Sequence, residues 1–212
     1  MSLDIAIPIF DEITALDAIG PYEVLSRLPG ATVSFIAKQP GPKRTENGML
    51  ALVADRALDD LTEPDVIVVP GGHGTRKLAQ DQEMLRWLRR AHTHSSWTTS
   101  VCTGALLLAA AGVLEGLTAT THWLQYELLR PYGVTPVAER IVREGKILTA
   151  AGVSAGIDMA LTLAAEIAGP EMAQAIQLGI EYDPEPPFVG GSVSKAPPEI
   201  VELVRRNADR LA

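Results

Sequence analysis

Short apolar runs alternate along the chain with longer segments in which apolar residues recur every three or four positions. A short apolar run is typical of a β-strand, whereas the longer spacing is typical of one face of an α-helix. Strands are therefore predicted at 3–10, 31–37, 65–70, 97–101, 117–122, 139–143 and 146–149, the last two as a hairpin around residues 144 and 145. Helices are predicted up to residue 28 and at 75–94, 103–112, 123–132, 156–168, 170–179 and 198–211.

The order of these elements predicts the fold class. Strands that alternate with helices form a parallel sheet, because a crossover between parallel strands needs a connection of helix length. The strand at 65–70 is apolar nearly throughout, which is typical of a strand covered on both faces. We therefore predict an α/β fold with a doubly wound, mostly parallel sheet of the flavodoxin-like type and helices on both faces. No linker interrupts the 212 residues, so a single domain over 1–212 is expected.

Residues that carry chemistry gather at the carboxyl ends of the predicted strands, the edge at which a doubly wound sheet binds its ligands. Asp17 is expected at or just before the start of the first helix, with Pro21 in the first turn, where a missing N–H costs little. The other stretches at this edge are 71–74, 102–104, 122 and 150–156, and we expect them to converge with 11–17.

The stretch WTTSVCTGALLLAAAG at 97–112 predicts the centre of the site. It indicates a short buried strand, one sharp residue at Cys102 and a helix that opens at Thr103, which together form a nucleophile elbow. The free N–H groups and the dipole at the start of that helix favour a thiolate, which is the nucleophilic form of cysteine. A buried cysteine can also be only a small apolar residue, but the elbow favours a functional thiol.

Composition and charge argue against several classes of protein. The net charge of −8 argues against nucleic acid as a partner, because phosphate binding needs clustered Lys and Arg. A single cysteine excludes an intrachain disulfide and fits a reducing, cytoplasmic compartment. The first residues lack the basic start of a signal peptide, and the longest apolar run is too short to span a membrane. No His, Cys or carboxylate spacing fits zinc, so neither a metal nor another cofactor is expected.

Motifs spread over nearly the whole chain resemble the ThiJ/PfpI superfamily. In chain order they are DAIGPYE at 17–23, VPGG at 69–72, SVCTG at 100–104, TTH at 120–122 and the YDP and PF groups of 182–188. Cys-Thr-Gly at the elbow, together with an aspartate before the Gly-Pro pair, is most similar to the isonitrile (isocyanide) hydratase branch. The resemblance implies a small-molecule isocyanide substrate and a homodimer.

The same resemblance implies a mechanism. In that branch, the thiolate at the position of Cys102 attacks the terminal carbon of an isocyanide, and the resulting thioimidate takes up water and releases an N-formyl amine. The acid at the position of Asp17 relays protons. If Asp17 lies within a few ångströms of Cys102, the two groups cannot both be anionic, and the pair then shares a proton. From spacing alone, Asp17 could equally cap the first helix.

Other residues complete the predicted site. The backbone N–H groups of Gly72 and Thr103 resemble an oxyanion hole, and the Thr103 hydroxyl is a further candidate for contact with the intermediate. Gly152 is expected to wall the pocket. His122 could reach the thiol as a base, as a histidine does in some members of the superfamily, although the hydratase branch is not expected to need it. Glu23 is expected to form an ion pair or a hydrogen bond near the site.

Other functions stay open beside the hydratase. A glyoxalase or deglycase of the superfamily has a glutamate where this chain has Asp17 and usually relies on a histidine, for which His122 is the candidate. A ligand- or redox-sensing domain related to AraC-type regulators is the non-enzymatic alternative, because an accessible cysteine of low pKa oxidises readily. A PfpI-type peptidase fits less well, since that group places a histidine directly after the nucleophile, where this chain has Thr103.

Overall fold

Strands and helices alternate along residues 2–208, which are the residues that a computed structural model of the chain describes. The strands are β1 (Leu3–Pro8), β2 (Ala31–Ala37), β3 (Gly41–Arg44), β4 (Ala51–Ala54), β5 (Arg56–Ala57), β6 (Val66–Val69), β7 (Trp97–Val101), β8 (Thr118–Ala119), β9 (Thr135–Pro136), β10 (Ile141–Glu144) and β11 (Ile147–Ala150). The α-helices are α1 (Ala15–Leu25), α2 (Thr75–Leu78), α3 (Gln82–His94), α4 (Gly104–Ala110), α5 (Ala155–Ala168), α6 (Pro170–Gly179) and α7 (Pro198–Arg206).

A seven-stranded sheet with the order β10-β11-β7-β6-β1-β2-β5 lies at the centre. Its neighbouring strands run parallel except β10 and β11, which form an antiparallel hairpin at one edge. All four residues of β6 are buried, as its apolar sequence predicts. After β1, the chain adds β2 and β5 on one side of β1 and then β6 and β7 on the other side. The strand order therefore reverses between β1 and β6, which makes this the switch point of the sheet. The predicted doubly wound, mostly parallel α/β sheet is confirmed, and ligands bind at such a switch point.

The helices pack in two groups around this sheet. Helix α1 packs on α5, and α5 packs on α6, whereas α2 and α3 pack on α4. Both α1 and α4 also contact β6, and α4 and α5 contact β7. The strands that precede the predicted site residues are thus held between packed helices, which makes their carboxyl ends a rigid support for the site.

The helix predicted at 75–94 is two helices, α2 and α3. The break lies at Asp81, whose side-chain carboxylate accepts the N–H groups of Glu83 and Met84 at 3.0 and 3.1 Å. An aspartate in this position is a strong N-cap, so the sequence starts a new helix here instead of continuing the first. The prediction of one continuous helix was wrong because this internal cap competes with the apolar repeat.

Helix α1 begins and ends earlier than predicted. Thr14 is its N-cap residue, and its carbonyl accepts the N–H of Asp17 at 3.1 Å. Asp17 therefore lies inside the first turn, and its side chain is not needed as a cap. Pro21, expected in the first turn, lies in the helix interior, where it is buried. A proline there has no N–H to donate to the carbonyl four residues earlier, which is that of Asp17.

The region after α4 is less regular than predicted. The strand expected at 117–122 is only β8, which pairs in parallel with β9 in a separate two-stranded sheet. The helix expected at 123–132 is two 3₁₀ segments, Trp123–Leu128 and Arg130–Tyr132. Pro131 lacks the N–H that a continuing α-helix needs, and Gly133 ends the segment at a φ of 73°. The predicted hairpin around residues 144 and 145 is confirmed as β10 and β11.

The contacts of the chain divide it between Ile180 and Glu181 into two compact units. The second unit consists of an irregular segment, with a turn in which the Ser192 carbonyl accepts the N–H of Ala196 at 2.8 Å, followed by α7. The C-terminal helix was predicted to residue 211, and residues 209–211 of that prediction lie outside the described residues. The prediction of one domain over 1–212 stays a prediction. None of the helices within residues 2–208 is both long and apolar enough to cross a membrane.

Candidate active site

Cys102 lies on a strand–turn–helix elbow, as predicted. The strand β7 ends at Val101, and α4 begins at Gly104 with Thr103 as its N-cap residue. Cys102 between them has a φ of 54°, a left-handed conformation that is uncommon for a residue with a side chain. Backbone strain of this kind persists only where the surroundings hold it in place.

Hydrogen bonds on both sides hold Cys102 in this conformation. Its N–H donates to the carbonyls of Ala150 and Ala151 at 3.1 and 3.3 Å. Its carbonyl accepts the Thr121 hydroxyl at 2.8 Å. Both polar groups of the strained peptide are therefore satisfied, by β11 on one side and by the 120–122 segment on the other. Thr121 is almost completely buried, and sequence analysis did not assign it a role.

Two glycines make room for this arrangement. A Cβ on Gly104 would lie 2.0 Å from the Val69 carbonyl oxygen, so that only glycine lets α4 start this close to β6. A Cβ on Gly71 would lie 2.6 Å from the Thr103 nitrogen and 2.8 Å from Oδ2 of Asp17. The Gly71 backbone thus lies between the elbow and the first turn of α1, and it brings the two together.

Asp17 is fully buried beside the elbow. Its Oδ2 accepts the N–H of Gly71 at 2.9 Å, whereas Oδ1 has no hydrogen-bond partner within residues 2–208. Burial raises the pKa of the Asp17 carboxyl to about 8. The Gly71 hydrogen bond and the neighbouring Cys102 thiol lower this pKa, and the charge of Glu46 raises it. At neutral pH this carboxyl is therefore mainly protonated and can donate a proton.

The pKa of the Cys102 thiol is also raised, chiefly by burial and then by the negative charge of Asp17. The N–H and the side chain of Thr103 lower the pKa of the thiol in turn, although the Thr103 hydroxyl donates to the Gly72 carbonyl at 3.2 Å. The N–H at the start of α4 thus favours the thiolate, as expected. Burial and the charge of Asp17 raise the pKa of the thiol by more than this N–H lowers it. The charge of an ionised Asp17 thus opposes ionisation of the Cys102 thiol, so the pair does not readily hold two negative charges.

The predicted oxyanion hole is not open in this structure. The N–H of Gly72 donates to the hydroxyl oxygen of Thr103 at 2.9 Å, and the N–H of Thr103 faces the sulfur of Cys102. Gly72 has a φ of 131°, and a Cβ there would lie 2.3 Å from the Glu12 carbonyl oxygen. Its N–H becomes available to a ligand only if the Thr103 side chain releases it.

His122 and Gly152 lie against each other. A Cβ on Gly152 would lie 2.2 Å from Cδ2 of the His122 ring, so the glycine leaves room for the imidazole. Nδ1 of His122 accepts the N–H of Leu124 at 3.4 Å and caps the following 3₁₀ segment. Burial lowers the pKa of His122, and neither Cys102 nor Asp17 contributes to that shift. The structure thus gives His122 a packing and capping role.

Glu23 was predicted to form an ion pair or a hydrogen bond near the site; it pairs with Arg27 at 2.8 Å, and both side chains are exposed. It does not act on the buried pair. Glu46, in the turn between β3 and β4, does act on it, since its charge raises the pKa of both Asp17 and Cys102. No local pattern in the sequence marks Glu46, because only the tertiary fold brings this turn to α1. Among residues 2–208, no group of three or more His, Cys, Asp and Glu side chains is placed to hold a metal ion.

The chain is similar in sequence and in fold to several known proteins. The model of the DJ-1/PfpI family matches residues 4–166. The chain is 43% identical over 208 residues to isonitrile hydratase of Pseudomonas putida, a match that covers 98% of this chain and 91% of that protein. A crystal structure of a ThiJ/PfpI family protein from Pseudomonas syringae superposes with a TM-score of 0.92 at 35% identity, covering 100% of this chain and 90% of the other. The transcriptional regulator CdhR of Pseudomonas aeruginosa is 29% identical over 171 residues, which are 79% of this chain and 50% of the regulator.

Proposed function

Because this chain belongs to the DJ-1/PfpI family, we propose that it is an isonitrile hydratase, which adds water to an isocyanide to give an N-substituted formamide. The observation that carries the proposal is the buried pair of Cys102 and Asp17. It joins a soft nucleophile to a carboxyl whose pKa of about 8 keeps it protonated near neutral pH. Addition to an isocyanide carbon needs both a nucleophile and a proton. Cys102 supplies the nucleophile and Asp17 supplies the proton.

The proposed reaction balances with these two groups and water alone. The Cys102 sulfur bonds to the terminal isocyanide carbon, and Asp17 delivers a proton to the same carbon while the thiol proton returns to the carboxylate. The product of this step is a thioimidate, R–N=CH–S–Cys. Water then adds to its carbon as Asp17 relays a proton to the nitrogen. The carbon–sulfur bond breaks, the sulfur recovers its proton, and R–NH–CHO leaves.

Thr103 and Gly72 support the same steps. The N–H of Thr103 faces the sulfur and stabilises negative charge on it as it attacks, whereas the Thr103 hydroxyl donates to the Gly72 carbonyl at 3.2 Å. Rotation of the Thr103 side chain would free the N–H of Gly72, which could then hold the attacking water. An isocyanide has no oxygen, so such a donor serves the water and not the substrate. Gly152, beside the His122 ring, is proposed to wall the pocket.

The test is turnover of an aromatic isocyanide, followed by absorbance as the N-formamide appears, with Cys102→Ala as the blank. In water enriched in oxygen-18, the formamide is expected to carry one heavy oxygen. Turnover that disappears in Cys102→Ala supports the hydratase. Absence of turnover by folded protein with a reduced thiol overturns it, and methylglyoxal is then the substrate that tests the glyoxalase alternative.

A sensing domain is the second candidate, favoured by the identity of 29% to part of a transcriptional regulator. In that case an oxidant is expected to modify Cys102 in protein that turns over no isocyanide. The homodimer and the cytoplasmic location stay proposals. Analytical ultracentrifugation tests the homodimer, since it distinguishes one chain of 22.6 kDa from two.

A further inference from the structure

The turn between β3 and β4 lies against the segment that leads into α1. Thr45 forms a β-bridge with Ile13, and the N–H of Glu46 donates to the Ile13 carbonyl at 3.2 Å. Within the same contact, the N–H of Glu12 donates to the Arg44 carbonyl at 2.7 Å. The turn is therefore tied to the backbone that positions the first turn of α1, in which Asp17 lies.

Thr14 fixes the side chain of Glu46. A threonine at an N-cap usually accepts an N–H of its own helix through its hydroxyl oxygen. Here Thr14 makes no such cap, and its hydroxyl donates to the Glu46 carboxylate at 3.2 Å. The carboxylate is thus held beside the start of α1, where the positive end of the helix dipole stabilises a negative charge.

The charge of Glu46 reaches the buried pair. Glu46 is exposed, whereas Asp17 and Cys102 are buried, and its charge raises the pKa of both. The guanidinium of Arg44 donates to the Gly48 carbonyl at 3.1 Å. This cation therefore binds the backbone of the turn between β3 and β4. A fixed negative charge therefore lies at an exposed position beside the start of α1, and its field extends to the thiol.

We propose that Glu46 is a specificity-determining residue: held by Thr14 at an exposed position beside the start of α1, its carboxylate repels anionic molecules that approach Cys102 and leaves the site selective for neutral or cationic ones. A substrate that carries a carboxylate has to bring a second negative charge towards Glu46, and like charges at short range oppose binding. For isocyanides the inference rests on the proposed function. For other reagents that react with the thiol it does not.

Alkylation of Cys102 tests the inference without any turnover. The chain has one cysteine, so the intact mass reports this thiol alone. Iodoacetamide is neutral and iodoacetate is anionic, and both attack the same sulfur, so the ratio of their rates cancels any change in the thiolate fraction. Glu46→Gln is expected to raise the rate of iodoacetate relative to iodoacetamide about three- to tenfold, and Glu46→Lys is expected to raise it further.

The matched control is Glu12→Gln, which removes one negative charge from the segment that leads into α1. Unlike Glu46, Glu12 does not contribute to the pKa shifts of Asp17 and Cys102. Its expected effect on the ratio is below about twofold, because exposed charges are screened within about 8–10 Å. An unchanged ratio in Glu46→Gln overturns the inference. Equal shifts in both variants also overturn it, since they would reflect the general charge of the surface. Circular dichroism of each variant checks its fold.

A second experiment compares kcat/KM for two isocyanides, the neutral cyclohexyl isocyanide and the anionic isocyanoacetate. Wild-type protein is expected to prefer the neutral compound, and Glu46→Gln is expected to reduce this preference about three- to tenfold, as in the alkylation. If the wild type hydrates neither compound, the proposed function fails, and the alkylation ratio alone decides on Glu46. If both compounds are hydrated with a preference that Glu46→Gln leaves unchanged, the role of Glu46 in substrate selection is overturned.

Discussion

Oδ2 of Asp17 accepts the N–H of Gly71 at 2.9 Å, while Oδ1 of the same carboxyl has no hydrogen-bond partner within residues 2–208. One oxygen is thus fixed to the backbone at the end of β6, and the other is left for the Cys102 thiol or for a substrate. This division suits a proton donor, because the anchored oxygen orients the carboxyl and the free one carries out the transfer.

Gly71→Ala is expected to disturb this anchor. The added Cβ would lie 2.6 Å from the Thr103 nitrogen and 2.8 Å from Oδ2 of Asp17, and the backbone has to move to accept it. We expect the free energy of unfolding to fall by about 1–3 kcal/mol and kcat/KM to fall at least about tenfold. Urea unfolding and initial rates measure the two effects. Gly179→Ala, whose Cβ would meet nothing within 4 Å, is the control that is expected to leave both nearly unchanged.

The raised pKa of Asp17 makes stability depend on pH. The folded carboxyl has a pKa of about 8 against an ordinary value of 3.8, so between these values the folded state binds more protons than the unfolded state. The contribution of Asp17 is therefore most favourable below pH 4 and is lost as the pH rises through 8, by at most about 1.4 kcal/mol per pH unit. Asp17→Asn removes this slope. Urea unfolding of both proteins at pH 5, 6, 7 and 8 measures it, and parallel curves would refute the raised pKa.

The elbow and the position of Asp17 beside it were predicted correctly, for a physical reason. A parallel strand, a small-residue turn and a helix leave a local signature, and Cys102 and Asp17 both lie in such signatures. The hydrogen bonds around them connect residues far apart in the chain, such as Gly71 with Asp17. Spacing could therefore predict that the strand ends converge, but it could not tell which N–H would bind which oxygen.

Thr121 and His122 are expected to differ in importance although they are neighbours. The Thr121 hydroxyl holds the Cys102 carbonyl at 2.8 Å, so Thr121→Val leaves a buried carbonyl without this donor. We expect the free energy of unfolding to fall by about 1–3 kcal/mol, with a loss of activity as the elbow loosens. His122→Asn keeps an acceptor for the Leu124 N–H and is expected to retain activity within about threefold, since loss of a general base costs about 100-fold or more. A large loss in His122→Asn would make the histidine catalytic.

Ser100 on β7 carries a buried hydroxyl without a hydrogen-bond partner among the described residues. Ser100→Ala removes a desolvated polar group and is expected to leave the free energy of unfolding unchanged or to raise it by up to about 1 kcal/mol. The adjacent Thr99→Val is the contrast, because the Thr99 hydroxyl donates to the Ile67 carbonyl at 2.9 Å and its loss is expected to cost about 1 kcal/mol. Equal destabilisation in thermal or urea unfolding would contradict this account.

The errors in the predicted fold have the same kind of cause. An apolar repeat at 75–94 indicated one helix, but the Asp81 carboxylate starts a second helix inside it. The helix expected at 123–132 is two 3₁₀ segments, and Pro131 in the second lacks the N–H that a continuous α-helix needs, although the apolar pattern continues through it. Glu46 was missed because a hairpin turn contains no sign of the helix that it will contact. Periodicity reports which face is buried, whereas caps, prolines and tertiary contacts decide where an element ends and what it touches.

The most direct test of the central claim is the initial rate of N-formamide formation by Asp17→Asn at pH 7, measured beside wild-type protein and Cys102→Ala. Asparagine keeps the size of the side chain but has no carboxyl proton to donate. We expect the rate to fall at least about 100-fold in Asp17→Asn, and to vanish in Cys102→Ala, while both variants retain the wild-type circular dichroism spectrum. A rate within about threefold of wild type in folded Asp17→Asn would contradict the role of the buried pair.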